Sequence, residues 1–302
     1  MKTSQLTRRE FLHATTALGL AGLTRPLAGF AASESAYRLG CYTRPWDAFE
    51  YRVALDGIAE AGFQHVGLMT AKGTSWILVT VDSTPEEVGR IADDVRKRGL
   101  KTLSLYGGDF PVAKSIEAGI GGLKTLIDHC VICACPNLLL GGTAEETLVR
   151  PYYEVVARCC GYAAAKGVGL SIKPHGGQNA TGSQCRKLIE QVGHASFRLW
   201  YDPGNICYYS DGKLDPVEDS STVDGLVVGM SVKDFVPPKE VMVTPGTGRV
   251  RFREVFARLK KGGFTRGPLI VECLARGDTP ASITAEAKKA CAFLEDLTGQ
   301  KD

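Results

Sequence analysis

Short apolar runs that stop abruptly at ionisable residues recur four times in the second half of the chain. They occupy residues 171–177 (SIKPHGG), 199–205 (LWYDPGN), 228–234 (VGMSVKD) and 269–273 (LIVEC). Runs of this kind are typical of strands that are buried on both faces of a parallel sheet. Because the carboxyl ends of such strands open into one mouth in a parallel barrel, the polar residues placed there predict one shared pocket.

Strand-like and helix-like segments alternate through the rest of the chain. Strands are predicted over residues 37–42, 65–69, 100–106 and 137–142, and helices over 49–61, 83–98, 115–133 and 152–166. Further helices are predicted over 183–192, 252–261 and 280–297, whereas residues 211–225 are weakly patterned. This alternation predicts an α/β fold, a single (β/α)8 TIM barrel.

Length and composition agree with one large domain. The chain has 302 residues, of which 23% are charged and 44% hydrophobic, and a barrel of about 250 residues fits residues 37–300. No GxGxxG turn follows the first predicted strand, which argues against a doubly wound dinucleotide-binding sheet. The net charge of +3, without a block of basic residues, argues against a nucleic-acid partner.

The first 32 residues are predicted to be a targeting segment. Arg8 and Arg9 precede an apolar run over residues 14–23 and small residues over 29–32, which resembles a twin-arginine signal peptide. The apolar run is too short to span a bilayer comfortably, and no later segment looks membrane-spanning. The expected location is therefore periplasmic or otherwise exported, without stable membrane insertion.

Ten cysteines are present, but their spacing does not indicate a disulfide framework. Cys159 and Cys160 are adjacent, and most of the others lie within apolar runs. We therefore expect buried free thiols that pack as small apolar side chains, and no structural zinc.

Four motifs in the second half carry a resemblance to a known family. They are DPGN at residues 202–205, VKD at 232–234, GTGRVRF at 246–252 and PLIVE at 268–272. In this order they resemble the later landmarks of the xylose-isomerase-like TIM barrels, the sugar (phosphate) isomerase/epimerase superfamily. The resemblance implies a divalent metal held by Glu, Asp, His and Glu from strands five to eight.

Only two of the four implied ligands are present in this sequence. Asp202 and Glu272 match the pattern, whereas Lys173 stands at the position of the first Glu and Ser231 at that of the His. Another ligand must then substitute, or the metal is absent. His175 is the best substitute, because residues two apart in a strand face the same way. A site of His175, Asp202 and Glu272 would suit Mn, Fe, Co, Zn or Mg, with Asp234 as a possible fourth ligand.

The candidate chemistry is proton transfer on a sugar carbon next to a carbonyl group. Lys173, Lys233, His175 and Glu272 are the candidate catalytic residues, because buried lysine, histidine and carboxylate groups can serve as bases or stabilise an enediolate. A structural salt bridge is the alternative role of the two lysines. The candidate substrate-binding residues are Trp46, Tyr106, Asn205 and Arg249.

The first functional hypothesis is an exported sugar or keto-sugar isomerase or epimerase that abstracts a proton next to a carbonyl group with the assistance of a metal. The alternatives are a lyase or dehydratase acting on 3-keto-glycosides in the same fold, and a metal-free sugar-binding barrel without catalysis. A metal-dependent endonuclease is disfavoured, since basic surface and multi-metal ligands are lacking. The expected partner is a small carbohydrate, and a homo-oligomer is possible.

Overall fold

Eight parallel strands close into one barrel in the computed structural model, which describes residues 36–300. Neighbouring strands pair in sequence order, and β1 also pairs with β8. The predicted (β/α)8 barrel is thereby confirmed. The predicted signal peptide, residues 1–32, lies outside the described residues. The strands are β1 Tyr37–Tyr42, β2 His65–Leu68, β3 Lys101–Tyr106, β4 Asn137–Leu140, β5 Gly169–Ile172, β6 Phe197–Tyr201, β7 Val227–Val232 and β8 Gly267–Val271.

Helices cover the outside of the barrel and connect successive strands. In chain order, those of the described residues are α1 Tyr51–Glu60, α2 Pro85–Lys97, α3 Ile116–Ile132, α4 Glu146–Ala165, α5 Gly182–Val192, α6 Pro203–Tyr209, α7 Pro216–Asp219, α8 Phe252–Lys261 and α9 Pro280–Thr298. The sequence did not predict the two short helices α6 and α7. Helix α6 begins within the apolar run of residues 199–205, and α7 lies in the weakly patterned residues 211–225.

Side-chain caps explain where several helices begin. Thr84 accepts a hydrogen bond from the backbone N–H of Glu87, whose side chain accepts one from the N–H of Thr84. This capping box satisfies two backbone donors that the first helical turn would otherwise leave free. The predicted start of α2 near residue 83 is therefore confirmed. By contrast, α4 begins at Glu146, six positions before the predicted start, and carries Pro151 inside it.

Large aromatic side chains fill the barrel interior because glycines on neighbouring strands make room for them. A Cβ atom at Gly67 would lie 2.2 Å from the Tyr42 ring, and one at Gly229 would lie 2.3 Å from the Trp200 ring. The interior cluster consists of Tyr42, Met69, Leu103, Leu139, Trp200 and Ile270. The interior is thus a packed core, and any pocket must lie above it, at the carboxyl ends of the strands.

All ten cysteines are buried, as predicted, and none of them lies in a disulfide. Within residues 36–300, no helix combines the length and the apolar character needed to cross a membrane.

Candidate active site

Four charged side chains meet above the packed interior, at the carboxyl ends of β5 to β8. They are Lys173, Asp202, Lys233 and Glu272, and we refer to them as the charge cluster. The exposed fraction is at most 2% for each of the four residues. Each is the first residue after its strand. Because side chains along a strand point alternately to its two faces, each of these side chains points into the barrel. The sequence prediction that Lys173, Asp202 and Glu272 share one cavity mouth holds in this arrangement.

Both lysines bridge the two carboxylates. The Nζ atom of Lys173 lies 2.8 Å from each carboxylate oxygen of Glu272 and 3.5 Å from Oδ2 of Asp202. The Nζ atom of Lys233 lies 2.6 Å from Oε1 of Glu272 and 3.2 Å from Oδ2 of Asp202. Buried charges are tolerated when they are paired in this way.

Further donors complete the surroundings of Glu272. Ser231 donates a hydrogen bond of 2.7 Å from its hydroxyl to Oε2, and Arg44 approaches Oε1 with Nη1 at 3.3 Å. Although burial opposes ionisation, the charges of Lys173, Lys233 and Arg44 hold the pKa of Glu272 well below its usual range. Glu272 therefore remains a carboxylate and is a weak base in this site.

Asp202 caps α6 as well as joining the cluster. Its Oδ1 accepts a hydrogen bond of 2.9 Å from the backbone N–H of Asn205, which leaves Oδ2 for the lysines. Asn205 in turn accepts a hydrogen bond from Lys233 at 3.0 Å and donates one to the carbonyl of Pro174 at 2.7 Å. Asn205 was predicted to bind substrate, but both ends of its amide are engaged within the protein. It therefore positions Lys233.

The pKa values of the two lysines move in opposite directions. For Lys233, burial opposes the charged form, but the carboxylates of Asp202 and Glu272 outweigh it and raise the pKa. For Lys173, burial and the neighbouring charge of Lys233 outweigh the effect of Glu272 and lower the pKa. Because Lys173 keeps close contact with both oxygens of Glu272, we take it as an ammonium group that gives up a proton more readily than Lys233.

His175 and Tyr106 lie together beside the cluster. A Cβ atom at Gly141 would lie 2.8 Å from the Tyr106 hydroxyl and 3.4 Å from Nδ1 of His175, so both groups face the end of β4. Neither side chain has a hydrogen-bonding partner among the described residues. The His175 ring also lies 5.7 Å from the ring of Tyr209, which is 37% exposed and faces the mouth.

The imidazole of His175 is neutral in these surroundings. Burial, together with the positive charges of Lys173 and Lys233, lowers the pKa of His175 to about 3. A neutral imidazole with no internal partner offers one acceptor and one donor to a molecule that enters the mouth.

Arg44 connects the cluster to an exposed loop. Its guanidinium carbon lies 5.9 Å from the ring centre of Trp76, which is 54% exposed, while its buried Nε has no hydrogen-bonding partner among the described residues. The guanidinium group of Arg44 thus lies over the indole ring in a cation–π contact, which holds the exposed Trp76 near the cluster.

The match to a family model covers residues 55–297, under the description "Xylose isomerase-like TIM barrel". The chain belongs to this family. The family resemblance stated from the sequence is thereby confirmed, and the match spans α1 to α9 of the barrel. No protein with a curated description matches the chain.

Solved structures with the same fold include several epimerases. D-psicose 3-epimerase in the presence of D-fructose has 14% identity and a TM-score of 0.67, over 87% of this chain and 99% of that one. L-ribulose 3-epimerase has 16% identity and a TM-score of 0.66, over 87% and 95%. 3-Keto-D-glucoside 4-epimerase from E. coli has 12% identity and a TM-score of 0.64, over 86% and 99%. At these identities the likeness establishes the fold.

The xylose-isomerase-like pattern implies a divalent metal, but the residues present do not fit one. Two ammonium groups already occupy the space between Asp202 and Glu272. Like unit charges about 4 Å apart repel by roughly 4 kcal/mol in a typical protein site, and a divalent ion would face two of them. Among residues 36–300, no group of three or more His, Cys, Asp or Glu side chains is arranged to hold a metal. The predicted ligands His175, Asp202, Glu272 and Asp234 are therefore not arranged as a metal site among the described residues.

Asp234 has a structural role instead. Its carboxylate accepts backbone hydrogen bonds of 2.8–3.0 Å from Phe235, Gly246, Gly248 and Val250. The prediction that it is a metal ligand fails because Asp234 follows the inward-facing Lys233 and faces the β7–α8 loop.

Two of the predicted substrate-binding residues lie away from the mouth. Trp46 is fully buried in the outer core, where its ring packs so closely on α1 that a Cβ atom at Gly57 would lie 2.8 Å from it. Arg249 is exposed, and its guanidinium lies beside Gly212. Neither residue contacts the charge cluster, whereas Tyr106 does border the mouth as predicted.

Arg44 and Ser231 are the site residues that sequence reasoning missed. Arg44 begins a short helical turn directly after β1, where the alternation of a strand no longer holds, so no local pattern identifies it. Ser231 was noted only as a lost ligand, whereas its hydroxyl supports Glu272.

A groove of about 930 Å³ lies beside the mouth, between the loop of residues 71–83 and the residues that follow β3. Its lining includes Arg52, Glu87 and Arg90, which are exposed, and no member of the charge cluster. We place the candidate active site at the charge cluster, because buried ionisable groups with shifted pKa values are concentrated at functional sites.

Proposed function

We propose that the protein is a sugar or keto-sugar isomerase or epimerase that moves a proton on a carbon next to a carbonyl group. The observation that carries this proposal is the buried charge cluster at the mouth of the barrel, with the unpartnered His175 and Tyr106 beside it. Carboxyl ends of barrel strands are where enzymes of this fold keep their active sites. A cluster of perturbed ionisable groups there is a site for acid–base chemistry.

The lysines supply the positive charge that the reaction needs. Removal of the α proton moves an electron pair towards the carbonyl oxygen and leaves a negatively charged enediolate. A carbonyl oxygen placed above Lys173 and Lys233 would meet two fixed ammonium groups in a site largely closed to water, where such stabilisation is strongest. Lys173, whose pKa is lowered, is the better proton donor to that oxygen.

His175 is the group that we assign to the α proton. Its neutral imidazole can accept a proton, and the negative charge of the enediolate would offset the lysine charges that hold its pKa low. Return of the proton to the neighbouring carbon gives isomerisation. Delivery of a proton to the opposite face of the same carbon gives epimerisation, and this outcome requires a second proton donor across the substrate from His175.

Free sugars, glycosides or inositols are the substrate class that we favour over sugar phosphates. The structural neighbours named above include 3-epimerases of ketoses and a 4-epimerase of a 3-keto-glucoside, which supports a keto-sugar. The proposed export also supports this class, since sugar phosphates are cytoplasmic metabolites.

Export by the twin-arginine route is part of the proposal. The support is the Arg8-Arg9 pair with its apolar run and small residues. Replacing both arginines by lysine should retain the full-length precursor in the cytoplasm, as measured by cell fractionation. Unchanged delivery to the periplasm would contradict this assignment.

Solvent deuterium incorporation tests the proposed reaction directly. The mature protein is incubated in deuterium oxide with candidate ketoses and 3-keto-glycosides, and hydrogen at the α carbon is followed by NMR. We expect exchange for at least one sugar, and we expect His175→Asn to lower its rate about 100-fold or more while substrate binding persists. Sugar binding without exchange would favour a binding protein and contradict the proposal.

Elimination is the second outcome that the same intermediate permits. If the carbon next to the carbanion carries a leaving group, expulsion of that group gives a lyase or dehydratase. The likeness to a 3-keto-glucoside epimerase supports testing a 3-keto-glycoside for release of its aglycone. Release of aglycone in step with deuterium exchange would identify the protein as a lyase.

A further inference from the structure

The ammonium groups of Lys173 and Lys233 occupy the space between the carboxylates of Asp202 and Glu272, where an ion bound by both would lie. Their Nζ atoms are 2.6–3.5 Å from the carboxylate oxygens that they face. We propose that this lysine pair is the built-in cation of the site, and that the protein works there without a divalent metal.

Charge balance supports this assignment. Two ammonium groups carry the same total charge as one divalent ion, and they face the two buried carboxylates. All four carboxylate oxygens already accept hydrogen bonds or ion pairs from the protein, as described above. A metal would have to displace at least one ammonium group from the two carboxylates with which it is paired.

Asn205 and Ser231 show that the arrangement is built for lysine. Asn205 accepts a hydrogen bond from Lys233 at 3.0 Å, and an amide oxygen in this place fixes the ammonium group. The hydroxyl of Ser231 donates a hydrogen bond of 2.7 Å to Glu272. A residue that bound a metal at this position would direct a lone pair to the ion, and not a hydrogen to the carboxylate. The neighbours of the lysine pair thus complement ammonium groups.

The chemical consequence rests on the proposed function. Each ammonium group donates directed hydrogen bonds to an enediolate oxygen, so the site keeps its positive charge in the presence of a chelator. The binding part of the inference does not depend on any reaction.

Metal binding by the wild-type protein is the first test. The protein is produced without an affinity tag, its content of Mn, Fe, Co and Zn is measured by elemental analysis, and Mn²⁺ and Zn²⁺ are then titrated by calorimetry. We expect substoichiometric metal and no binding that depends on Asp202. A stoichiometric ion that is lost in Asp202→Asn would overturn the inference.

A designed variant tests the same point in the opposite direction. Lys173→Glu combined with Ser231→His places a third carboxylate and an imidazole beside Asp202 and Glu272, a donor set for a divalent ion. We expect this double variant to bind about one Mn²⁺ or Zn²⁺ ion per chain. The matched control is Lys239→Glu, the same charge change at an exposed lysine, which should bind none.

Folding of each variant is checked by circular dichroism and thermal unfolding. If the double variant does not fold, the metal content of the wild type still decides. If it folds and binds no ion, the ammonium group of Lys173 is not what excludes a metal, and that result counts against the inference.

Deuterium exchange in the presence of excess chelator completes the test. We expect its rate to be unchanged, whereas loss of exchange with recovery on adding one metal would overturn the inference. If no sugar exchanges under any condition, the proposed function fails, and the binding measurements still determine whether the lysine pair replaces a metal.

Discussion

His175 is a single residue whose charge state couples the site to pH. Burial and the charges of Lys173 and Lys233 lower its pKa to about 3, whereas the pKa of a histidine in the unfolded chain is about 6.5. As the pH falls below the unfolded value, the unfolded chain binds a proton that the folded chain does not. The folded state therefore loses stability between the two values as the pH falls, and above them the residue has no effect.

Replacing His175 by Asn should remove this acid sensitivity. On going from pH 7.5 to pH 5.0, we expect the wild type to lose up to about 2 kcal/mol more of its free energy of unfolding than the variant. The measurement is urea-induced unfolding at both pH values. Between pH 7.5 and pH 8.5 the two proteins should change alike, and an equal acid-induced loss would contradict a neutral, buried His175.

The β7–α8 loop is an element that one carboxylate holds in place. Asp234 accepts four backbone hydrogen bonds from the residues that follow it, and it is fully buried. Removing the carboxylate leaves several backbone donors without partners, and each buried unsatisfied donor costs about 1–3 kcal/mol. The loop lies directly after Lys233, so its conformation also fixes one side of the mouth.

We expect Asp234→Ala to destabilise the protein by at least about 3 kcal/mol and to expose residues 236–250 to limited proteolysis. Asp234→Asn, which keeps one acceptor oxygen, should be intermediate. Asp296→Ala is the control, since Asp296 belongs to an exposed ion pair within a helix and should cost less than about 1 kcal/mol. A small effect of Asp234→Ala would show that the four hydrogen bonds do not hold the loop.

Strand and helix elements were predictable from the sequence because their period and their stop signals are local. The inward direction of Lys173, Asp202 and Glu272 followed from the same local rule. The functions of Asp234 and Trp46 did not follow, because residues just past a strand end turn according to the loop that receives them. The pairing of each lysine with two carboxylates depends on contacts across four strands, which no local pattern encodes.

The closed barrel as a whole depends on how its interior is filled. Trp200 lies against Gly229, where a Cβ atom would be 2.3 Å from the ring. Gly229→Ala should therefore force the ring or the strand to move, and we expect a loss of about 1–3 kcal/mol in the free energy of unfolding.

Gly161→Ala is a control for which the opposite sign is expected. Gly161 is exposed within α4 and has open space around its Cα, so alanine should stabilise the helix by about 0.5–1 kcal/mol. Equal effects of the two substitutions would contradict a tightly packed interior.

The thiol state of the whole molecule bears on how the chain reaches its destination. All ten cysteines are buried and none lies in a disulfide, and burial raises the pKa of Cys133 to about 12 and that of Cys207 to about 11. Because the thiolate is the reactive form, an aqueous thiol reagent should modify almost no cysteine in the native protein and all ten after unfolding without reductant. Fewer than ten reactive thiols after unfolding would reveal disulfides and contradict this structure. A protein with ten thiols packed in its core folds most readily where thiols stay reduced, which would support the proposed export of an already folded chain.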